Sequence, residues 1–521
     1  MKKKYRENIY LIFLFLFAFI FNFYVASKGV LPIDTFLHYD SASRILNGII
    51  PVRDYWVVHG VTLDYFQALF FLIFGINWSS YILHSSIFNA LISITTFIYF
   101  LKIGLKKEYS LLLSLSFSIL AYPISGTPFI DQHAIFLSLF AFYFFYFGIK
   151  DNLKYLFFVP LLFGLAFFSK PVPTVYLMLL MALSFIFFLF TSKRFNIIKL
   201  PLLGSVFFLV ALYLFILSQK IDLEMFLTQL IYYPISIGGG RFSSLNVNYD
   251  KIISNYKFIL LPIIFSLFLL KNSFNKFTKD IRIFNFLIFT LFSFLCIYHQ
   301  LLTKNQNFIF FLIPINLAFL ILFLDEKLTD KSEMKYKSLI FGILIFCLFV
   351  TYKYHLRFNV DRKFHDLQNT NLENTVNAEK IHSSLSSLKW KTPNFEDPLN
   401  EITIINNVVR EVEKSGKKII LMTNHNFISS ISPKKIYTIS RTYDSISFPS
   451  KNNVYFGKFK SFLDDQINLK NLQQIFIFIP DSDLQFSLER YVLEYFDPNC
   501  LQISKSDKYL AKIDLINCEL K

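Results

Sequence analysis

The sequence predicts a mainly α-helical protein that crosses a membrane many times and ends in a small extracytoplasmic α/β region. Hydrophobic residues make up 54% of the 521 residues and charged residues only 17%, a composition typical of polytopic membrane proteins. Apolar runs of about 16–22 residues recur, and helices of that length can cross the hydrocarbon layer. The apolar runs stop near residue 355, and the remaining chain is polar.

The apolar runs predict about eleven spans, each near the minimum length for crossing a bilayer. The predicted spans are residues 9–26, 82–101, 109–123, 132–149, 154–169, 172–190, 197–217, 257–270, 283–299, 307–324 and 338–354. The first of them resembles a signal peptide, but no clear cleavage site follows it, so we expect a retained anchor.

The distribution of lysine and arginine predicts the orientation. The N-terminus and every second loop are rich in these residues, whereas the opposite short loops hold only Lys170 and Lys304. Because positively charged loops stay in the cytoplasm, we expect a multi-pass protein of the inner (plasma) membrane with a cytoplasmic N-terminus and an extracytoplasmic C-terminal region. The same rule accounts for the net charge of +16, so the lipid bilayer, and not nucleic acid, is the expected partner.

We predict two domains, a transmembrane domain over 1–355 and a soluble α/β domain over 356–521. Helical periodicity and the stop signal Gly416 predict a helix over 399–418. The remaining elements are predicted from apolar patterning: buried strands at 418–424, 436–440 and 474–479, a hairpin at 501–516, and a loop between Phe364 and Pro398.

The four cysteines divide into two pairs. Cys296 and Cys347 lie in apolar runs and are expected to be packing residues. Cys500 and Cys518 lie in the polar tail and could form a disulfide if that tail is exported, although spacing alone leaves this open.

Charged and titratable side chains are concentrated in the loops predicted to face outward. They are Asp34, His38, Asp40, Asp54, His59, Asp64, Asp131, His133, Lys170, His299 and Lys304. Short outer loops need no such residues, since they can be polar without carrying charge. Their concentration favours a binding or catalytic site on that surface.

Several of these residues also have a structural explanation. Asp34 and Asp131 could each cap a following helix, and His38 is one turn from Asp34 on the same expected helix face. Asp40 and Arg44 have the i,i+4 spacing of an ion pair.

The remaining candidates lie near the expected membrane interface. His59 precedes the apolar stretch 61–75, which we expect to lie along the interface as an amphipathic helix. Lys170 could extend to headgroup phosphates, and His299 and Lys304 share that explanation.

One chemistry would use all of these groups. A carboxylate can accept the proton of an acceptor hydroxyl, neighbouring cations can hold a departing phosphate, and grooves between spans can hold a long lipid chain. This is glycosyl transfer from a lipid-phosphate sugar through an oxocarbenium-like transition state.

The order of the motifs resembles the GT-C superfamily of integral-membrane glycosyltransferases. It comprises a transmembrane helix, Asp34, a short helix ending in Gly48, Arg53-Asp54-Tyr55, His59 and an interfacial helix ending at Phe74-Gly75. This order is similar to the branch that contains protein O-mannosyltransferases and lipid A aminoarabinose transferases, which use polyprenyl-phosphate sugars on the non-cytoplasmic side and invert the anomeric centre. The resemblance covers about residues 9–325.

The resemblance implies roles for individual residues. Asp34 takes the place of the catalytic aspartate, Asp131 that of the acidic residue in the second outer loop, and Lys170 that of a basic residue near the lipid phosphate. The Lys304 segment resembles a late phosphate-binding stretch. Thr35 stands where the family often has a second acidic residue, so a divalent metal is not supported and no cofactor is predicted. Four more residues are donor- or substrate-binding candidates: His38, Asp40, His59 and His299.

We therefore expect an inverting hexosyl- or pentosyltransferase with Asp34 as general base, a polyprenyl-phosphate sugar as donor, and an envelope lipid, glycan or protein as acceptor. An envelope glycan ligase or polymerase is an alternative, since loop 218–256 carries Arg241 beside three glycines. A transporter or non-catalytic scaffold is a further alternative. A transporter should carry ionisable residues at mid-membrane depth, and the predicted span centres are nearly free of charge.

Overall fold

The computed structural model describes residues 2–243, 249–271, 280–303, 309–328, 333–505 and 508–516. Two residues singled out from the sequence, Lys304 and Cys518, lie outside these ranges.

The apolar part of the chain folds into long helices, and each predicted span overlaps one of them, although residues 307 and 308 of the predicted span 307–324 lie outside the described ranges. These helices are Lys2–Val25, Trp78–Ile103, Lys107–Leu120, Ile130–Lys150, Tyr155–Phe167, Pro171–Ser192, Lys199–Ser218, Tyr249–Leu270, Ile281–Leu302, Leu312–Leu328 and Glu333–His355. The prediction of a mainly helical, multi-pass membrane protein is confirmed.

The number of spans stays a prediction. Within the described ranges, eight helical segments are long and apolar enough to cross a membrane. The helices Lys107–Leu120, Tyr155–Phe167 and Leu312–Leu328 have only 14, 13 and 17 residues, which is near or below the length that a bilayer requires.

Contacts between residues divide the chain into two compact units, and each unit is assembled from three segments that are not consecutive in the sequence. The first, which we call the helical unit, contains Met1–Ala26, Ser85–Leu212 and Arg241–Phe364. The second, the mixed unit, contains Ser27–His84, Tyr213–Gly240 and His365–Lys521. The polar C-terminal region is thus grouped with residues of the first predicted outer loop. The predicted domain division at residues 355 and 356 stays a prediction.

Helix Ile130–Lys150 is the central element of the helical unit. Its apolar window is 89% buried, as expected for a helix that is hydrophobic on all sides. Tyr143 stacks on Tyr99 with ring centroids 4.4 Å apart, and Phe142 packs edge-on against Phe292. Aromatic packing on several faces therefore fixes the position of this helix.

The mixed unit contains a five-stranded sheet. Its strands are β3 (Ile419–Thr423), β4 (Ile436–Tyr437), β5 (Gln474–Phe478), β6 (Leu501–Lys505) and β7 (Leu510–Leu515), in the order β4-β3-β5-β7-β6, and a separate ribbon pairs β1 (Val376–Asn377) with β2 (Lys389–Trp390). Strand β3 pairs in parallel with β4 and β5, whereas β7 is antiparallel to β5 and β6. The strands predicted at 418–424 and 474–479 and the predicted hairpin are confirmed. The strand predicted at 436–440 is limited to Ile436–Tyr437, and the segment predicted as a loop between Phe364 and Pro398 contains the β1–β2 ribbon.

Short and amphipathic helices complete the mixed unit. They are Pro32–Thr35, Leu37–Leu46, Thr62–Phe74, Leu223–Leu227, Pro398–Lys414, Ile428–Ile431, Phe456–Lys470 and Leu484–Leu488, and Tyr233–Ser243 begins in it. Asp397 caps Pro398–Lys414 by accepting a hydrogen bond from the Leu399 amide. This helix ends at Lys414, two residues before Gly416, so the stop predicted at that glycine is confirmed and the periodic segment 399–418 extends slightly beyond the helix.

One of the two expectations about the cysteines is confirmed. Cys296 and Cys347 are buried and free, as expected for packing residues. Cys500 is disulfide-bonded, and its predicted partner Cys518 lies outside the described residues.

Candidate functional site

Three residues of the helical unit form an ion cluster, the membrane triad of Asp131, Lys170 and His299. Lys170 Nζ lies 2.6 Å from Asp131 Oδ2, and His299 Nε2 lies 3.1 Å from Asp131 Oδ1. Asp131 and His299 are fully buried, whereas the Lys170 side chain remains 12% exposed. Both carboxylate oxygens are therefore engaged, and Lys170 is the member of the triad that a ligand could contact.

Each member of the triad lies at a helix end. Asp131 is in the first turn of Ile130–Lys150, where its negative charge suits the helix dipole, and His299 is in the last turn of Ile281–Leu302. Lys170 directly precedes Pro171–Ser192, where the dipole disfavours a cation, and Asp131 offsets that cost. Three residues predicted on one side of the membrane are thereby brought together.

The N-cap role expected of Asp131 is wrong. The helix begins at Ile130, and Phe129 occupies the N-cap position without a side-chain hydrogen bond. Asp131 therefore lies inside the first turn, and its carboxylate is used by Lys170 and His299.

The loop before Asp131 is held at Gly126. Asn22 Nδ2 and Ser85 Oγ donate to the Gly126 carbonyl oxygen at 3.1 and 2.6 Å. Gly126 has φ +77°, and a Cβ there would lie 2.8 Å from Ala26 Cα. A side chain would be strained by the left-handed backbone and would collide with the first helix.

A buried arginine fixes the same loop from a distant part of the chain. Arg362 donates from Nη1 to the Pro123 carbonyl oxygen at 3.1 Å and from Nη2 to that of Ser125 at 3.0 Å. Sequence reasoning missed Arg362, because an arginine after the last apolar run looks like an ordinary solvated residue.

A second buried cluster, the loop triad of His38, Asp64 and Arg441, lies in the mixed unit. His38 Nδ1 lies 2.7 Å from Asp64 Oδ1, and Arg441 donates to Asp64 Oδ2 through Nη2 and to the Gly60 carbonyl oxygen through Nη1. All three triad side chains are at most 3% exposed. Among the described residues, His38 Nε2 and Arg441 Nε have no hydrogen-bond partner.

The protonation of His38 follows from this arrangement. Burial is the largest cause and lowers the pKa of His38 despite the nearby Asp64 carboxylate, because a charged imidazolium loses its hydration. The neutral ring donates from Nδ1 to Asp64, which leaves the Nε2 lone pair as an acceptor.

Two expectations about Asp34 are wrong. Leu31, not Asp34, is at the N-cap of the short helix Pro32–Thr35. That helix ends before Leu37 starts the next one, so Asp34 and His38 do not share a continuous helix face. Asp34 is half-buried in the first turn, and its catalytic role stays a prediction.

The Asp40–Arg44 ion pair expected from the spacing is confirmed. Arg44 Nε lies 2.7 Å from Asp40 Oδ2, and both side chains are nearly buried. Ser429 donates to Asp40, and Arg44 Nη1 donates to the Ile436 carbonyl oxygen at 2.8 Å. Asp40 is thus part of the packing between its helix and the 429–436 segment.

The structure says less about the two remaining candidates, His59 and Lys304. His59 is half-buried in the loop before Thr62–Phe74, and Lys304 lies outside the described residues. In the described part of the chain, no group of three or more His, Cys, Asp or Glu side chains is placed to hold a metal ion.

Comparison with known proteins identifies a family over part of the chain. Residues 58–218, just under a third of the sequence, match the model of the dolichyl-phosphate-mannose-protein mannosyltransferase family. The matched segment contains Asp64, Asp131 and Lys170. The resemblance to integral-membrane glycosyltransferases predicted from the sequence is confirmed. No curated protein matches the chain.

Two solved structures resemble the chain along nearly its full length. They are ArnT from Cupriavidus metallidurans bound to undecaprenyl phosphate and the same protein in the apo state. Sequence identity is 10% and 11%, and the TM-score is 0.47 for both. The alignments cover 97% and 99% of this chain and 98% of each solved chain.

Proposed function

We propose that this multi-pass membrane protein is an inverting glycosyltransferase that moves a sugar from a polyprenyl-phosphate donor to a hydroxyl of an envelope acceptor on the outer face of the membrane. The observation that carries the proposal is the membrane triad, two of whose members lie in the segment that matches a glycosyltransferase family. Its partly exposed lysine is suited to the phosphate of a donor that is itself embedded in the bilayer.

The chemistry of the triad fits a leaving phosphate. A lysine at the edge of membrane helices is costly unless an anion accompanies it, and Asp131 serves that purpose in the resting protein. The donor is a phosphodiester, and its phosphate gains negative charge as the sugar–oxygen bond breaks. A fixed cation therefore stabilises the transition state more than the ground state, which is the condition for catalysis.

The proposed transfer is a single displacement at the anomeric carbon. The acceptor hydroxyl oxygen forms the new bond to that carbon, and its proton passes to the Asp34 carboxylate. The bond from the anomeric carbon to the phosphate oxygen breaks on the opposite face, and the lipid phosphate leaves with the electron pair. Attack opposite the leaving group inverts the anomeric configuration.

Asp131 has a positioning role in this proposal. The sequence resemblance implied a catalytic role, but both carboxylate oxygens are bonded to Lys170 and His299. A carboxylate with both oxygens engaged is a poor proton acceptor, but it can hold the Lys170 ammonium group in a fixed position. We therefore assign proton abstraction to Asp34 alone and the orientation of Lys170 to Asp131.

The outward-facing site is supported by two features. The lysine-rich loops are expected to lie in the cytoplasm. The other ends of the spans, where the site lies, are therefore expected to face outward. The disulfide at Cys500 is typical of an oxidising compartment, which fits an exported C-terminal region of an inner-membrane protein. No specific observation favours the ligase, polymerase, transporter or scaffold alternatives.

The proposal is tested by transfer from a panel of radiolabelled polyprenyl-phosphate sugars, incubated with purified protein and envelope lipid, glycan and protein acceptors. We expect at least one lipid-phosphate sugar to label an acceptor with inverted anomeric configuration, and the matching nucleotide sugar to give no transfer. Transfer from the nucleotide sugar, or transfer with retained configuration, would contradict the proposal.

A further inference from the structure

A polar cleft opens within the mixed unit. It has a volume of about 410 Å³ and lies between the end of helix Leu37–Leu46 and the segment 429–436. This volume is in the range of small-molecule sites. The cleft is separate from both triads described above, since none of their members lines it.

The charge of the cleft is positive. Arg44, Lys434 and Lys435 line it, and the Arg44 charge is balanced by Asp40. Lys434 donates to the neutral carbonyl oxygen of Ser415. Among the described residues, neither Lys434 nor Lys435 forms an ion pair with a carboxylate, so two positive charges remain available to an anion.

The other polar groups of the cleft suit a sugar. Ser43, Asn47, Ser430 and Ser432 contribute hydroxyl and amide groups, which can both donate and accept hydrogen bonds. The Ser430 hydroxyl is buried and has no hydrogen-bond partner in the described part of the protein. Hydroxyl and amide groups of the kind that line the cleft can form hydrogen bonds with the hydroxyl groups of a sugar.

We infer that this cleft binds an anionic sugar of the acceptor, one that carries a phosphate or a carboxylate group. The inference rests on the proposed function, because it gives the acceptor a second contact remote from the reacting hydroxyl. The helix that ends at the cleft begins three residues after Asp34 and is about 15 Å long. A short glycan could therefore extend from the cleft towards the proposed base. The mostly polar lining makes the cleft unsuitable for a polyprenyl chain.

Binding of small probes to the purified full-length protein tests the inference without turnover. The probes are glucose 6-phosphate, glucuronic acid and, as the neutral control, glucose. We expect one or both charged probes to bind, glucose to bind much more weakly, and Lys434→Gln/Lys435→Gln to reduce the affinity roughly tenfold or more, as for loss of charge-assisted hydrogen bonds. The charged probe that binds identifies phosphate or carboxylate as the recognised group.

Matched variants distinguish specific binding from general attraction. Lys451→Gln changes an exposed lysine of the same unit outside the cleft and should leave probe affinity unchanged. Lys435→Gln alone alters only an exposed side chain, so it keeps the test valid if the double variant does not fold. Equal losses in Lys451→Gln and Lys435→Gln, or equal binding of glucose and the charged probes, would overturn the inference.

Kinetics separate this inference from the proposed function. We expect the cleft variants to raise the KM for an anionic acceptor while kcat stays near normal. The Asp34→Asn variant should bind the charged probes normally and fail in transfer. Normal probe binding in a protein with no transferase activity would refute the proposed function and leave an anion site of another purpose.

Discussion

Lys170 Nζ donates to Asp131 Oδ2 at 2.6 Å, across 39 positions of sequence. Helix Ile130–Lys150 and the shorter helix Tyr155–Phe167 connect the two residues along the chain. The two helices form a hairpin, so the end of the second helix lies near the start of the first. A charged lysine is thereby stabilised beside apolar helices. The pair leaves part of the lysine accessible, which is the state needed to contact a ligand phosphate.

Lys170→Gln should lower kcat for sugar transfer by roughly 10²–10³, as for the loss of one preorganised group that stabilises developing negative charge. The measurement is single-turnover transfer at saturating donor. Lys154→Gln is the matched control, because Lys154 is exposed and precedes the neighbouring helix. If the two variants retain the same activity, Lys170 does not act on the phosphate.

Asp131→Asn should destabilise the protein by about 3 kcal/mol or more, because it leaves the Lys170 charge without its buried partner. Thermal unfolding in detergent measures the effect as a lower Tm. Asp483→Asn is the control, since Asp483 is an exposed N-cap and asparagine caps a helix equally well. An unchanged Tm for Asp131→Asn would show that the ion pair contributes little to the fold.

Gly126→Ala should lower stability by at least about 1 kcal/mol, the cost of a side chain in the left-handed region, with a further cost from the contact with Ala26. Gly416→Ala is the matched control, because a Cβ at Gly416 would meet nothing within 4 Å. We expect a lower Tm for Gly126→Ala only. Equal Tm values would indicate that the loop before Asp131 tolerates a side chain.

The helices and their broad arrangement could be predicted because a membrane span needs only length and apolarity. The predicted caps at Asp34 and Asp131 were wrong because each helix begins earlier than expected, at Pro32 and Ile130. A shift of three residues at Asp34 and of two at Asp131 is enough to move each carboxylate from the cap into the first turn. The local pattern of apolar and polar residues does not determine the first residue of a helix to within two or three positions.

The members of the membrane triad could be predicted individually, because a charge beside an apolar run is unusual. Their mutual contacts could not be predicted, since His299 and Asp131 are 168 positions apart and meet only through helix packing. Arg362 and Arg441 were missed for a related reason. Both lie in polar sequence, and only the tertiary structure buries them.

Stability should fall on acidification because of His38. Its pKa is lowered in the folded protein, so below the unfolded value of about 6.5 the unfolded chain binds the proton more readily. Stability is therefore fully present above that pH and declines as the pH falls towards the folded pKa. Tm values between pH 5 and 7.5 measure the decline, and His38→Asn should remove up to about 1.4 kcal/mol per pH unit of the slope.

The matched control for this experiment is His382→Asn. His382 is partly exposed and caps a short turn through its ring nitrogen, a role that asparagine can take over. The control should keep the slope of the unmodified protein. A His38→Asn slope identical to that of the control would mean that His38 is not held neutral by burial.

The most direct test of the account is single-turnover transfer from a polyprenyl-phosphate sugar by Asp34→Asn, with Asp222→Asn as the control at an exposed helix cap. If Asp34 removes the acceptor proton, Asp34→Asn should lose roughly 10²–10⁴ in rate, the usual contribution of a general base, while donor binding and Tm stay near those of the unmodified protein. Near-normal turnover by a folded Asp34→Asn variant would contradict the proposed mechanism.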